Sequence, residues 1–493
     1  MRHTAGHCVA TRHLMRLCDR VAGKRPTAAS RCERERKRAW ARRALASART
    51  LPAMTRAGAG SATAFVPQFL AAQATFIGQR LEPMHAAYSG PESLPTAGER
   101  DDTRAYGLSL GVPLVKHVAL YFGAGWFTGA GINKGAGLAG YVNEDAVRAG
   151  PGSGTQHPYV ARVYLQWTLP LSSSRTPVST ARDQLPGWQP DSRLRVKVGR
   201  LAVTDEFDQN RYAHSPRTQF LNWDVIHAAA YDYAADTHGY SNRTVIALVR
   251  PRWTLRYGFF QMPQRANVQA LASIGQANGQ QLQRSVRPFA HRGAVWRVLL
   301  YRNTAAMGLY EQAVALANQT GATPDILADD HPGRQKCGYV INTEWPWADS
   351  GATRLFARRA WDDGRTESFA YTEADRAAGI GGQICGVHWK RPDDRLGRAL
   401  GIDGFSGPHR VYLARGRRGF MLCDGALNYG HERVIEAYYR AQLGRYLQIS
   451  PDSQWITHPG YNRARGPALV IGMRSHVALR CRPQRSTLGR HFM

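Results

Sequence analysis

From Gln68 to Leu479 large apolar residues recur at every second position in short runs separated by Gly, Pro, Asn and Asp clusters, the mark of half-buried strands. Tyr106, Leu108, Leu110 and Val112 share one face, and Ala105, Gly107, Ser109 and Gly111 the other. Tyr159, Ala161, Val163, Leu165, Trp167 and Leu169 alternate with Val160, Arg162, Tyr164, Gln166 and Thr168. Leu194, Val196 and Val198 oppose Arg193, Arg195 and Lys197; Trp253, Leu255, Tyr257 and Phe259 oppose Arg252, Thr254 and Arg256. Near the end Ile435, Ala437, Tyr439, Ala441 and Leu443 oppose Val434, Glu436, Tyr438, Arg440 and Gln442. In a soluble sandwich the apolar face is a core; in a membrane barrel it meets lipid and the polar face lines water. Alternation alone fits both.

The spacing of the runs favours a barrel. Sixteen strands over residues 64 to 479 leave about 26 residues for each strand and its connection, ample for a large outer-membrane barrel. Long connections at Thr128 to Pro158, Thr204 to Asn242 and Met262 to Ala290 alternate with tight ones such as Arg250-Pro251. No stretch reaches the roughly 18 apolar residues of a membrane-crossing helix. The 49 Gly and 26 Pro speak against a helical bundle, and the 15 Phe, 12 Trp and 21 Tyr against a disordered chain.

Charge divides the chain. Its formal net charge is +29, but residues 1 to 60 alone hold 15 bases against three acids, whereas residues 61 to 479 carry 46 bases against 33 acids. The expected organisation is an arginine-rich segment at 1–64, a barrel at 65–479 and a basic extension at 480–493. The Ala62-Thr63-Ala64 site before Phe65 has the small-residue form of a signal cleavage site, yet Arg49 and Arg56 interrupt the apolar stretch that should precede it. A misassigned start, an arginine-rich arm and a mitochondrial-type presequence each fit that segment, the first best. The seven cysteines are an odd number without repeated spacing, so no disulfide framework, metal site or other cofactor is expected; Cys385 and His388 lack a second ligand pair.

Other motifs carry little chemistry. Gly107-Leu108-Ser109-Leu110-Gly111 has the form of a hydrolase elbow but lies inside a strand pattern. Gly135 to Gly140 spells G-x-G-x-x-G without a preceding buried strand or a following helix. Asp362, Asp363, Glu367, Glu373 and Asp375 supply the carboxylates that an all-β polysaccharide-cleaving enzyme would need, which is the main alternative to a channel. The basic run Arg31 to Arg43 could contact phosphates, but no nucleic-acid-binding fold surrounds it, and no nucleic-acid partner is expected.

Longer strings are more specific. Val198-Gly199-Arg200-Leu201-Ala202-Val203-Thr204-Asp205-Glu206-Phe207-Asp208 continues through Tyr212 to Trp223 and Tyr231 to Tyr240. With Gly364 to Glu373, Asp424 to Gly430 and His458 to Pro467, it resembles the carbohydrate-selective porins of the OprB family. The resemblance runs from about Phe69 to Leu479. It implies a sixteen-stranded antiparallel β-barrel in the bacterial outer membrane that passes small sugars, glucose-type above all, by diffusion through a constricted, arginine-bearing channel, with no catalytic step. The implied partners are sugars, outer-membrane lipid and the barrel-assembly machinery, with the chain a monomer or a homotrimer. On the polar faces Arg162, Arg193, Arg195, Arg252, Arg256 and Arg440 then line the pore, Glu436 is their counter-charge, Gln166 faces the same water, and Tyr164 and Tyr438 offer rings to sugar faces. The Gly-rich connection near Thr128 to Pro158 is the expected constriction. The sequence departs from the family where Gly123 and Gly125 stand in place of an acid and Gln166 in place of an arginine. It also departs at the C-terminus, where it runs past Leu479 instead of ending on an aromatic residue; with the interrupted signal region, this suggests altered ends and a chain not exported as written.

Overall fold

In the computed structural model the described residues are 69–481, apart from 91, 150–156, 182, 267, 290–292, 417–418, 420 and 423–425. The sequence readings at 1–64 and beyond 481 lie outside them. Eighteen strands form in chain order: β1 Phe69–Leu81, β2 Glu99–Val115, β3 Val118–Thr128, β4 Tyr159–Pro170, β5 Arg175–Val178, β6 Gly187–Pro190, β7 Arg193–Leu201, β8 Ser241–Val249 and β9 Trp253–Gln261. Then follow β10 Asn278–Val286, β11 Val295–Met307, β12 His331–Ala348, β13 Thr353–Asp362, β14 Arg376–Cys385, β15 Arg395–Gly404, β16 Glu432–Leu443, β17 Leu447–Thr457 and β18 Ala468–Cys481. Sixteen of them close an antiparallel barrel in chain order, with β1 paired to β18, and β5–β6 form a separate hairpin. Closure leaves no unpaired edge, the condition for a sheet to cross a bilayer.

The apolar face of the alternation points outward. Leu300 is 53% exposed, Val298 48% and Ile471 48%, while their strand neighbours Leu299 and Val470 are buried at 1% and 0%. A soluble sheet would bury the large apolar face; here it is a lipid-facing band. Trp167, Trp296 and Trp455 stand on it, near the strand ends where aromatic rings suit the interface.

Connections alternate in length around the rim. Two residues join β2 to β3 and three join β8 to β9, while 39 residues separate β7 from β8 and 27 separate β15 from β16. The exception on the short side is the β4–β7 connection, which carries the β5–β6 hairpin. The expected long connection at Met262 to Ala290 is instead two, with β10 inside it. In the expected face at Tyr159 to Leu169 a β-bulge intervenes: Gly123 pairs with Arg162, but Ala124 with Val160. The extra residue reverses the alternation, so Val160 is 45% exposed and Ala161 4%.

The lumen is filled by its long loops. Nearly every residue from 219 to 240 is buried, as are most from 131 to 147. A single core cluster joins Val203, Phe207, Trp223 and Tyr231 of the 202–240 segment to inward Tyr301 and Phe260 of the wall and to Tyr371 and Tyr412 of other loops. The 202–240 segment is therefore the main insertion. The Gly-rich 129–149 loop lies against it, with the Glu144 amide donating to the Leu221 carbonyl at 2.9 Å and the Trp223 amide to Tyr141 at 2.9 Å.

Candidate functional site

Inward positions of β4, β7, β9 and β13 present a basic wall, and the short turn Val203–Asp205 with the residues after it delivers three carboxylates to it. Arg162 donates Nε and Nη2 to the two Asp205 oxygens at 2.8 and 2.6 Å, a bidentate clamp. Glu206 receives Arg195 Nη2 at 2.6 Å and Lys197 Nζ at 2.8 Å, with Arg256 Nε at 3.4 Å. Asp208 accepts from Arg358 Nε at 3.1 Å and from Asn342 Nδ2 at 2.6 Å. Burial alone would raise the Glu206 carboxyl, but the Arg195, Lys197 and Arg256 charges outweigh it and hold the group well below the usual range. Arg162 also meets Asp183, at 3.6 Å, from the connection that carries the β5–β6 hairpin.

Beside this ladder lies a cavity of about 290 Å³, bounded by β1, β2, β4, β18 and the inserted segment. Its lining mixes Gln73, Ser109, Thr204 and Thr218 with Arg162, Arg217, Asp205, Glu144, three histidines and the Tyr240 ring. Arg217 Nε reaches Asp145 at 3.1 Å, and His227 Nε2 lies 3.4 Å from Glu144. Arg162 and Arg200 sit over Tyr240 at 5.3 and 5.6 Å from its centroid, so one ring aligns two cations. The Arg243 guanidinium, inward on β8, lies 5.1 Å over Phe260 and has no acceptor among the described residues for any of its three nitrogens.

The ten residues expected to line the pore do not form one group. Arg162, Arg195 and Arg256 stand on the ladder. Tyr164 is buried at 2%, stacked on Tyr121 at 5.1 Å with Lys197 Nζ 4.7 Å above its ring; Gln166 follows it two positions along on the inward face. Arg193 donates Nη1 to the Pro190 carbonyl at 2.7 Å, tying the wall to the hairpin. Arg252 is exposed in the turn before β9 and gives its carbonyl to the Arg287 amide at 2.8 Å; the strand alternation has not yet begun there. Glu436 does not face the arginines of the ladder. It is fully buried and accepts the amides of Leu221 and Asn222. Tyr438 donates to Gln383 at 3.0 Å and meets Phe220 edge-on at 4.8 Å, and Arg440 reaches the Thr218 carbonyl at 3.4 Å. These three hold the inserted segment from the far wall.

Sequence reasoning passed over Asp205, Glu206, Asp208, Arg217, Tyr240 and Arg243, although all but Arg243 lie within the strings that carried the family resemblance. At Gly125 an added Cβ would come within 2.9 Å of the Tyr159 ring, which stacks on His238 at 4.4 Å. The carboxylates of the enzyme alternative are bound to loop amides: Glu373 to Met421 and Leu422 at 2.8 and 3.0 Å, Asp375 to Ser406 at 2.6 Å, Glu367 to Gly308 at 3.0 Å, and Asp362 to Gly364 at 2.7 Å.

A closed sixteen-stranded barrel with a lipid-facing exterior and a loop-narrowed charged lumen is an outer-membrane porin. The model of the carbohydrate-selective porin, OprB family matches residues 119–479, and the chain belongs to that family. The solved high-pH structure of Pseudomonas putida OprB superposes with a TM-score of 0.62 at 14% identity, covering 84% of this chain and 94% of that one. The outer membrane channel DcaP of Acinetobacter baumannii (TM-score 0.46, 9% identity, 83% and 96% covered) and Salmonella typhi OmpF (0.44, 9%, 83% and 97%) are more distant. No curated protein matches the chain. The family match places the chain in the bacterial outer membrane as a carbohydrate porin with a channel fold, and gives the soluble polysaccharide-acting alternative no support.

Proposed function

We propose that small neutral sugars of the glucose type diffuse through the polar gap between β1, β2, β4 and the 202–240 segment, and that Arg162 and Arg217 donate to their hydroxyls on the way. The observation that carries this reading is the Arg162–Asp205 clamp opening on the cavity beside Tyr240. Guanidinium forks give fixed donors, carboxylates and hydroxyls give acceptors, and a ring gives a face to a pyranose. Because Asp205, Glu206 and Asp208 offset three of the ladder's five cations, ions feel a weaker field than the number of arginines alone would produce. A neutral solute with many hydroxyls then gains most. Liposome swelling tests this, with glucose, a disaccharide and an anionic monosaccharide of glucose size. Glucose should enter fastest; equal rates for glucose and the anion would refute the assignment.

A further inference from the structure

The outer surface of the barrel carries a second feature that passage through the lumen does not use. Near the long-loop end of β13 to β16, Arg359, Ala378, Ile402 and Arg433 are successive register partners in one row across four strands. The row above holds Trp361, Arg376 and Gly404, also paired in register. The small side chain at Ala378 leaves a recess of about 250 Å³, bounded by the His431 ring seated over Gly404; its edge carries Arg359, Trp361, Arg376 and His431.

The chemistry of this recess is two-sided. Its floor is apolar, and just below it Leu355, Ile380 and Ile435 are exposed on the lipid face, Ile380 at 56%. Its rim is cationic. Arg376 lies over the Trp361 ring at 5.1 Å and donates to the carbonyls of Asp362 and Asp375 at 2.5 and 2.7 Å, so its position is fixed. Arg359, Arg433 and His431 are exposed, and neither arginine forms an ion pair among the described residues. Asp403 borders the recess, but strand alternation turns its side chain to the lumen. The nearby carboxylates of Asp362, Asp375 and Glu432 are buried at 1%, 0% and 0%.

Arginine on the lipid face is costly at mid-bilayer and nearly free at the interface. Unpaired arginines flanking an apolar hollow at that level are complementary to an anionic head group with acyl chains beneath it. We propose that this recess binds the phosphate of an outer-leaflet lipid, whose acyl chains lie on Leu355, Ile380 and Ile435.

Native mass spectrometry of the full chain in detergent tests it, with a bis-phosphorylated glycolipid and its dephosphorylated counterpart as probes. The phosphorylated lipid should bind at least about tenfold more tightly. Arg359→Gln and Arg433→Gln should each weaken it about fivefold, and about twenty-five-fold together, taking one interfacial cation each. Arg359→Lys should restore binding, and Arg284→Gln, on the outward face of β10, should leave it unchanged. Equal binding of the two lipids would overturn the proposal. So would equal loss in Arg284→Gln, occupancy by inorganic phosphate as tight as by lipid, or self-association that covers the recess with no lipid retained. Unchanged heat modifiability of each variant shows that the barrel still forms.

Discussion

Two walls of one barrel hold its inserted loops by opposite means. On β4, β7, β9 and β13 the wall is cationic and the loop brings Asp205, Glu206 and Asp208 to it. On β16 the wall is acidic and takes hold of loop amides: Glu432 accepts from Ala139 and Gly460 at 3.1 and 2.6 Å, and Glu436 from Leu221 and Asn222. The first arrangement pairs charge with charge beside the water path and fixes its electrostatics. The second satisfies backbone groups that an inserted loop would otherwise bury unpaired. Asp224 of the loop shows how little cation the acidic side contains: burial pushes its carboxyl up to about 7. A charged loop and a charged wall make a selective gap only where their signs oppose.

Glu206→Gln should break this contrast most strongly. It leaves Arg195, Lys197 and Arg256 buried without their counter-charge, a loss on the order of 3–5 kcal/mol. Thermal unfolding should reveal the loss, and the reversal potential in a salt gradient should move toward anions. Asp208→Asn should cost about 2–3 kcal/mol, since charge-assisted hydrogen bonds from Arg358 and Asn342 are weakened, and proteolysis within 202–240 should quicken.

A smaller effect is expected from pH at the helix Gly407–Ala414. Burial of His409 opposes its protonation, but Asp375 at 3.1 Å and Glu373 at 3.7 Å prevail and raise it from 6.5 to about 9. A base raised on folding adds stability that is full below about 6.5 and is lost as pH climbs through about 9. Hydrogen exchange of 405–414 should therefore accelerate between those values, and His409→Gln should flatten the profile. Glu432→Gln should cost less than Glu206→Gln, about 1–3 kcal/mol, because the amide oxygen still accepts from Gly460 and only the Ala139 amide loses its acceptor; a loss as large as that at Glu206 would erase the distinction between the walls.

Period-two alternation made the barrel legible wherever large apolar residues faced lipid, as at Leu194, Val196 and Val198. It failed at β10, where Gln280 and Arg284 share the outward face with Leu282 and no stripe emerges. It misled at Tyr159 and Ala161, because a one-residue bulge reverses faces without altering composition. Arg162, Arg195 and Arg256 could be assigned to the polar face, yet their partners lie 43, 11 and 50 positions away in a stretch that reads as a loop. Nor could alternation say that Glu436 holds a backbone rather than a cation, since both uses place an acid inward.

The most direct test is ion current through single channels in a planar bilayer as glucose is added, comparing the native chain with Arg162→Gln. If sugar passes the Arg162–Asp205 gap, glucose should reduce the current saturably, with a half-effect concentration about tenfold higher in the variant, as expected for about 1.4 kcal/mol of lost charge-assisted hydrogen bonding. A current that glucose does not reduce, or reduces equally in both proteins, would contradict the path and the role given to that arginine.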